Sequence, residues 1–98
     1  MDCAVIYSTA ALSDLRSITE FIANDDDRTA GAFANRLVDL AESLARMPER
    51  GRRVKGWNET RVVVLSPYLI FYRFDRSAGE VQVLRFWHGA RDPGTIEL

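Results

Sequence analysis

The chain has 98 residues, 47% of them hydrophobic and 28% charged, with a formal net charge of −1. That size and mix imply one soluble globular domain over residues 1–98, and no apolar run approaches the ~20 residues that span a bilayer. Cys3 is the only cysteine, which excludes an internal disulfide. With no basic-then-apolar leader in view, it also fits a cytoplasmic protein whose thiol serves as a small hydrophobe.

Cys3 to Tyr7, CAVIY, is an apolar run too short for a helix and predicts a first strand. Ser8 follows where an N-cap oxygen is wanted. Leu12, Leu15, Ile18 and Ile22 then recur at three- and four-residue spacing, one apolar stripe on a first helix, widened by Phe21. Asn24 to Asp27 break the pattern, and Asp26 or Asp27 caps a second helix. That helix carries Ala30, Phe33, Leu37, Leu40 and Leu44, and Pro48 stops it. Two amphipathic helices joined by so short a link must lie antiparallel.

Charge is uneven along this part. Residues 1–45 hold eight acids and three bases, whereas residues 46–61 hold six bases and two acids. The second segment suits either a solvated loop or an acidic or phosphate-bearing partner. The remainder predicts sheet: TRVVVLS, YLIFYRFD and VQVLRFWH are rich in β-branched and aromatic residues and are separated by turn signals, with a possible earlier strand near Arg52 to Gly56. The expected fold class is α+β: an N-terminal strand, an antiparallel helical hairpin, then a three- to four-stranded antiparallel sheet.

Strand pairing decides which side chains share a face. With Asp75 opposite Glu80 and Leu65 opposite Tyr68, Val62, Val64, Leu69, Phe71, Leu84 and Phe86 fall on one face, expected to pack on the helices. Arg61, Val63, Leu65, Tyr68, Ile70, Tyr72, Val83, Arg85 and Trp87 fall on the other, expected to be open. A one-residue slip would drive an arginine into the helix-packed core. An apolar second face with arginines set into it reads as an interface, unless the loop from Arg50 to Trp57 or a second copy covers it.

SPYLIFYRFD (Ser66 to Asp75) and VQVLRFWHGARD (Val81 to Asp92), with the helical opening YSTAALSDLRSITEFIA, resemble the RelE/ParE superfamily of type II toxins. The resemblance spans nearly the whole chain. It implies a cytoplasmic toxin neutralised by a cognate antitoxin, whose tail folds over the toxin and whose own dimer is what contacts operator DNA. It also implies one of two targets. ParE-like members inhibit DNA gyrase and are associated with plasmid stabilisation. RelE-like members cut messenger RNA on the ribosome.

The HGARD pattern favours the ParE-like branch and a ParD-type, ribbon-helix-helix antitoxin, which would make the protein a non-enzymatic inhibitor. The alternative is a ribosome-dependent endoribonuclease using Arg61 and Arg85 on phosphate and His88 for proton transfer. A second alternative is a toxin-derived scaffold without toxicity. By parity His88 points to the helix side, and His88 to Asp92 read first as an anchor for the strand's end. The expected target-binding face is Arg61, Tyr68, Tyr72, Arg85 and Trp87. The expected antitoxin contacts are Ile18, Phe21, Phe33, Leu37, Arg53 and Lys55. No tyrosine follows Tyr72 and the terminal DPGTIEL offers no replacement acid or base. One Cys and one His cannot supply a standard zinc site, no Gly-rich phosphate loop is present, and residues 25–27 read as helix-capping and solvated acids. No cofactor or metal is expected.

Overall fold

A computed structural model describes residues 2–96. The elements run β1 (Ala4–Tyr7), α1 (Thr9–Ala23), α2 (Asp27–Ser43), β2 (Arg52–Arg53), β3 (Thr60–Leu65), β4 (Tyr68–Asp75), β5 (Glu80–His88) and a closing 3₁₀ turn at Pro93–Thr95. Glu97 and Leu98, the end of the terminal DPGTIEL, lie outside the described residues.

The fold is the α+β arrangement expected, with one addition: β1 joins the sheet. The strand order is β1-β5-β4-β3-β2. β1 runs parallel to β5, while β2/β3, β3/β4 and β4/β5 are antiparallel. The helical hairpin supplies the crossover a parallel pair needs.

Local chemistry sets the helix starts. The Ser8 hydroxyl oxygen accepts from the Ala11 N–H at 2.9 Å and its hydroxyl donates to the Leu84 carbonyl at 2.8 Å. The Ser8 N–H donates to the Val83 carbonyl at 3.0 Å. One residue therefore caps α1 and fastens it to β5. Asp26 caps α2, accepting from the Arg28 and Thr29 N–H groups and from the Thr29 hydroxyl, and these bonds hold its carboxyl below the usual carboxylate range.

The buried stripe of α1 differs from the expected one by a small rotation. Ala11 is fully buried and Ile18 nearly so, with Leu15 and Ile22 packed beside them, whereas Leu12 is 52% exposed. On α2 the stripe holds: Ala30, Leu37 and the C-cap Leu44 are buried, Phe33 and Leu40 are partly buried beside the core, and Ala41 joins them.

The expected sheet faces are inverted over most of their length. β3 and β4 pair as anticipated, Leu65 with Tyr68, Val63 with Ile70 and Arg61 with Tyr72. The side packed on the helices, however, is Val63, Tyr68, Ile70, Tyr72, Val81, Val83 and Phe86. Val62, Phe71 and Trp87 form a separate cluster on the outer side. A β-bulge explains part of the discrepancy. Tyr72 pairs with Val83 but Phe71 pairs with Arg85, which leaves Leu84 unpaired between them. Val83 and Phe86 can then both face the helices. The rest follows from Arg61, whose charge argues against the helix side only while it is unpaired. It does sit there, because backbone carbonyls receive its guanidinium.

Candidate functional site

The residues expected to form one open working face are divided between the two sides of the sheet. Arg61 lies across from Tyr72 on the helix side, and its guanidinium donates to the carbonyls of Glu49 at 3.1 Å and Gly51 at 2.8 Å. Tyr72 is fully buried. Its hydroxyl accepts from the Gly51 N–H at 2.8 Å and donates to the Pro48 carbonyl at 2.9 Å. Burial raises the Tyr72 pKa. Together Arg61 and Tyr72 tie the α2–β2 loop to the sheet. Tyr68 is also buried, beneath the Phe33 ring at 5.6 Å. As a target-binding surface, Tyr68 and Tyr72 are therefore corrected: they are core.

Arg85 and Trp87 face the outer side. Trp87 is only 2% exposed. Its ring lies under the guanidinium groups of Arg91 at 3.9 Å and Arg85 at 5.1 Å, and its Nε1–H donates to the Arg91 carbonyl at 3.3 Å. The outer apolar face is covered by the chain itself. Val54 and Trp57 from the basic loop, with Ile96 from the C-terminal segment, pack on Val62, Phe71 and Trp87, the Trp57 and Phe71 rings 5.0 Å apart. Val64, at the far end of β3, stays 57% exposed.

Arg85 has a partner that sequence reading missed. Its Nε and Nη2 donate to the two carboxylate oxygens of Asp14 at 2.6 and 2.8 Å, and the Phe86 N–H donates to the same carboxylate at 3.1 Å. β1 reaches only as far as Val83 along β5, so beyond that point Asp14 on α1 takes the place of a neighbouring strand. A signal was available: Asp14 lies between Ala11 and Ile18 on the buried stripe of α1, and an acid in an apolar stripe needs a buried partner.

His88 takes the helix side, as its parity implied. It meets the Tyr68 ring edge-on at 5.1 Å. Its Nδ1 accepts from the Ala90 N–H at 3.0 Å, so Nε2 carries the proton of the neutral ring. The turn at Gly89 is anchored by its own N–H, which donates to the Pro67 carbonyl at 2.7 Å. His88 also lines a cleft of about 390 Å³ against α1, with Asp14, Ile18, Phe21, Phe86 and Arg91.

Of the expected antitoxin contacts, Ile18 and Leu37 are corrected to core residues, 8% and 0% exposed. Phe33 is half-buried with the Arg36 guanidinium 5.7 Å from its ring. Phe21 is 69% exposed, and Arg53 and Lys55 are exposed on the basic loop. No described helix is long and apolar enough to cross a membrane.

A five-stranded sheet with a parallel N-terminal strand, backed by one helical hairpin and ending in a turn pinned at Gly89, is the fold of the RelE/ParE toxins. Among solved structures the chain superposes on the chromosomal ParDE system of P. aeruginosa with a TM-score of 0.75, 19% identity and coverage of 88% of this chain and 95% of that one. On the RelBE2 toxin–antitoxin complex of Mycobacterium tuberculosis the TM-score is 0.68, with 25% identity over 90% of this chain and 99% of that one. The isolated E. coli RelE toxin gives a TM-score of 0.61 at 16% identity, covering 94% and 89% of the two chains. In sequence the chain is 37% identical to toxin RelE2 of Caulobacter vibrioides over 87 residues, 89% of this chain and 96% of that protein. Residues 5–93 match the family described as the ParE toxin of the type II toxin–antitoxin system parDE. The chain belongs to that family, and is a toxin of a type II toxin–antitoxin system within the RelE/ParE superfamily.

Proposed function

We propose that this toxin acts by binding, as a ParE-like inhibitor of DNA gyrase in the cytoplasm, and that a ParD-type antitoxin neutralises it. The observation that carries this reading is the engagement of its arginines. Cutting RNA by 2′-hydroxyl attack needs cationic groups converging on one phosphate, with an acid or base beside them. Arg61 and Arg85, the two candidates for that task, lie on opposite sides of the sheet. One holds backbone carbonyls and the other a carboxylate. His88 shares a side with Arg61, but it lies at the opposite end of β4, across from Tyr68 rather than Tyr72. The match to the ParE family model supports the same branch.

The antitoxin's tail would cover exposed Phe21 and half-buried Phe33 on the helical hairpin, with Arg53 and Lys55 attracting acidic residues. Operator DNA would be reached only through the antitoxin.

A ribosome-dependent endoribonuclease is the second reading, favoured by the 37% identity to a protein named toxin RelE2. Purified toxin freed of antitoxin decides between them. The expected result is loss of gyrase supercoiling activity with ribosome-bound mRNA left intact; cleaved mRNA with unaffected gyrase reverses the assignment. Harmless induction in a host without the antitoxin gene would point instead to a scaffold that has lost its toxicity.

A further inference from the structure

We infer that a groove at the hairpin end of the sheet, where Arg53, Arg61, Arg73 and Arg76 meet, is a carboxylate-binding site that takes an acidic side chain of the antitoxin, with Arg73 as its principal donor. The inference rests on the chain having a protein antitoxin and deepens that reading by placing one of its contacts.

The groove encloses about 430 Å³, room for a side chain and part of its backbone. Arg73 sits on β4 across from Thr60 on one side and Gln82 on the other. Its Nε is buried and has no hydrogen-bond partner, alone in this among the buried side-chain nitrogen and oxygen atoms of the described residues. A buried N–H without an acceptor is costly, and a carboxylate brought to it would form a charge-assisted bond in a shielded place.

Arg61 borders the groove from the helix side of the sheet, where the Glu49 and Gly51 carbonyls hold it, so the direct contact falls to Arg73. At the rim, the exposed pair of Arg76 and Glu49 can exchange partners readily. On the far wall, the Asp75 carboxylate accepts from the Ser77 hydroxyl and the Ala78 N–H through Oδ1, which ties it to its own turn.

Charge separates peptide from nucleic acid. Glu49, Glu59 and Asp75 also line the groove, so it is mixed rather than uniformly basic. A nucleic-acid strand would bring a row of phosphates against those three acids, whereas one acidic side chain of a mixed-charge peptide need approach only the arginines.

The test uses the full chain with ¹⁵N-labelled arginine side chains and follows each Nε–H signal during titration with a capped hexaglutamate peptide, and in parallel with dT6. The expected result is a saturable shift of the Arg73 signal with hexaglutamate, at least tenfold weaker with dT6, and weakened at least tenfold in Arg73→Lys, which keeps the charge but loses the Nε–H. Thermal unfolding of Arg73→Lys checks that it folds; if it does not, the wild-type signals decide alone. An unmoved Arg73 signal overturns the site, and so does equal or tighter binding of dT6. Either failure leaves the toxin assignment standing, because that is read independently from growth arrest on induction.

Discussion

Asp14 and Arg85 are joined by two parallel hydrogen bonds of 2.6 and 2.8 Å, although 71 residues separate them in the chain. Their side chains are only 13% and 16% exposed, so the pair lies largely in the protein's own dielectric. Removing Asp14 takes from Arg85 its paired carboxylate, and removing Arg85 leaves the Asp14 charge without its guanidinium. Asp14→Ala also strips the acceptor from the Phe86 N–H. The expected cost is about 3 kcal/mol, seen as a lower urea midpoint at unchanged slope. Asp14→Leu combined with Arg85→Met should recover part of that loss, because no half of the ion pair is left buried without the other. A double variant no more stable than Asp14→Ala would show that packing, not charge, dominates here.

Gly51 cannot be enlarged without displacing Tyr72. A methyl group at Gly51 would lie 2.7 Å from the Tyr72 hydroxyl oxygen, 2.8 Å from its Cε1 and 2.8 Å from the Val62 carbonyl. Gly51→Ala is expected to cost about 1–3 kcal/mol through strain. Tyr72→Phe keeps the ring but orphans the Gly51 N–H and Pro48 carbonyl, at about 1–3 kcal/mol. Both should also loosen residues 48–53, visible as faster amide exchange there than in α1.

Phe21 and Leu37 are both apolar helix residues of the hairpin, yet substitution should affect them differently. Phe21→Ser, at a 69% exposed position, is expected to change stability by no more than about 0.5 kcal/mol while weakening antitoxin binding at least tenfold by calorimetry. Leu37→Ala, at a fully buried position, is expected to cost about 2–5 kcal/mol. Unchanged antitoxin affinity in Phe21→Ser would remove this residue from the interface.

All three tyrosines are pushed to higher pKa, each chiefly by burial. Tyr7 is raised most. Its hydroxyl also donates to Glu42 on α2, and the Glu42 charge resists a second negative charge beside it. The unfolded chain ionises its tyrosines near the usual value of about 10. The stabilisation is therefore complete below that pH and is lost as pH rises above it toward the higher folded-state values. Tyrosinate absorbance at 295 nm should rise in step with loss of the far-ultraviolet circular dichroism. A tyrosine titrating near pH 10 in the folded protein would contradict the burial described. Tyr7→Phe should leave the coincidence intact for the other two.

Much of the fold can be read from local pattern. Three- and four-residue apolar spacing marks both helices, Ser8 and Asp26 mark their starts, and turn residues between Val- and aromatic-rich runs mark the strands. The pairing of Arg61 with Tyr72 also follows from the short Ser66-Pro67 turn. What parity could not supply is the side of the sheet on which the helices sit. Both faces are apolar, and an arginine counts as an outward residue only until its hydrogen-bond partners are known. Arg61 finds them in the Glu49 and Gly51 carbonyls, which belong to a loop whose course no spacing rule gives. Leu84 is the other gap: one unpaired residue in β5 leaves no compositional mark. Asp14 was legible in principle as an acid within a greasy stripe, but its partner lay 71 positions away.

The Leu84 bulge makes β5 two half-strands spliced out of phase. Before it, odd-numbered residues (Val81, Val83) look toward the helices; after it, even-numbered ones (Phe86, His88) do. Leu84 acts within the sheet as an inserted base acts within a gene. Were β5 to run on without the bulge, Leu84 opposite Phe71, every later side chain would change sides, sending Arg85 and Trp87 toward the hairpin and Phe86 toward the opposite layer; excising Leu84 would instead join Val83 to Arg85 and leave each of them where it now points.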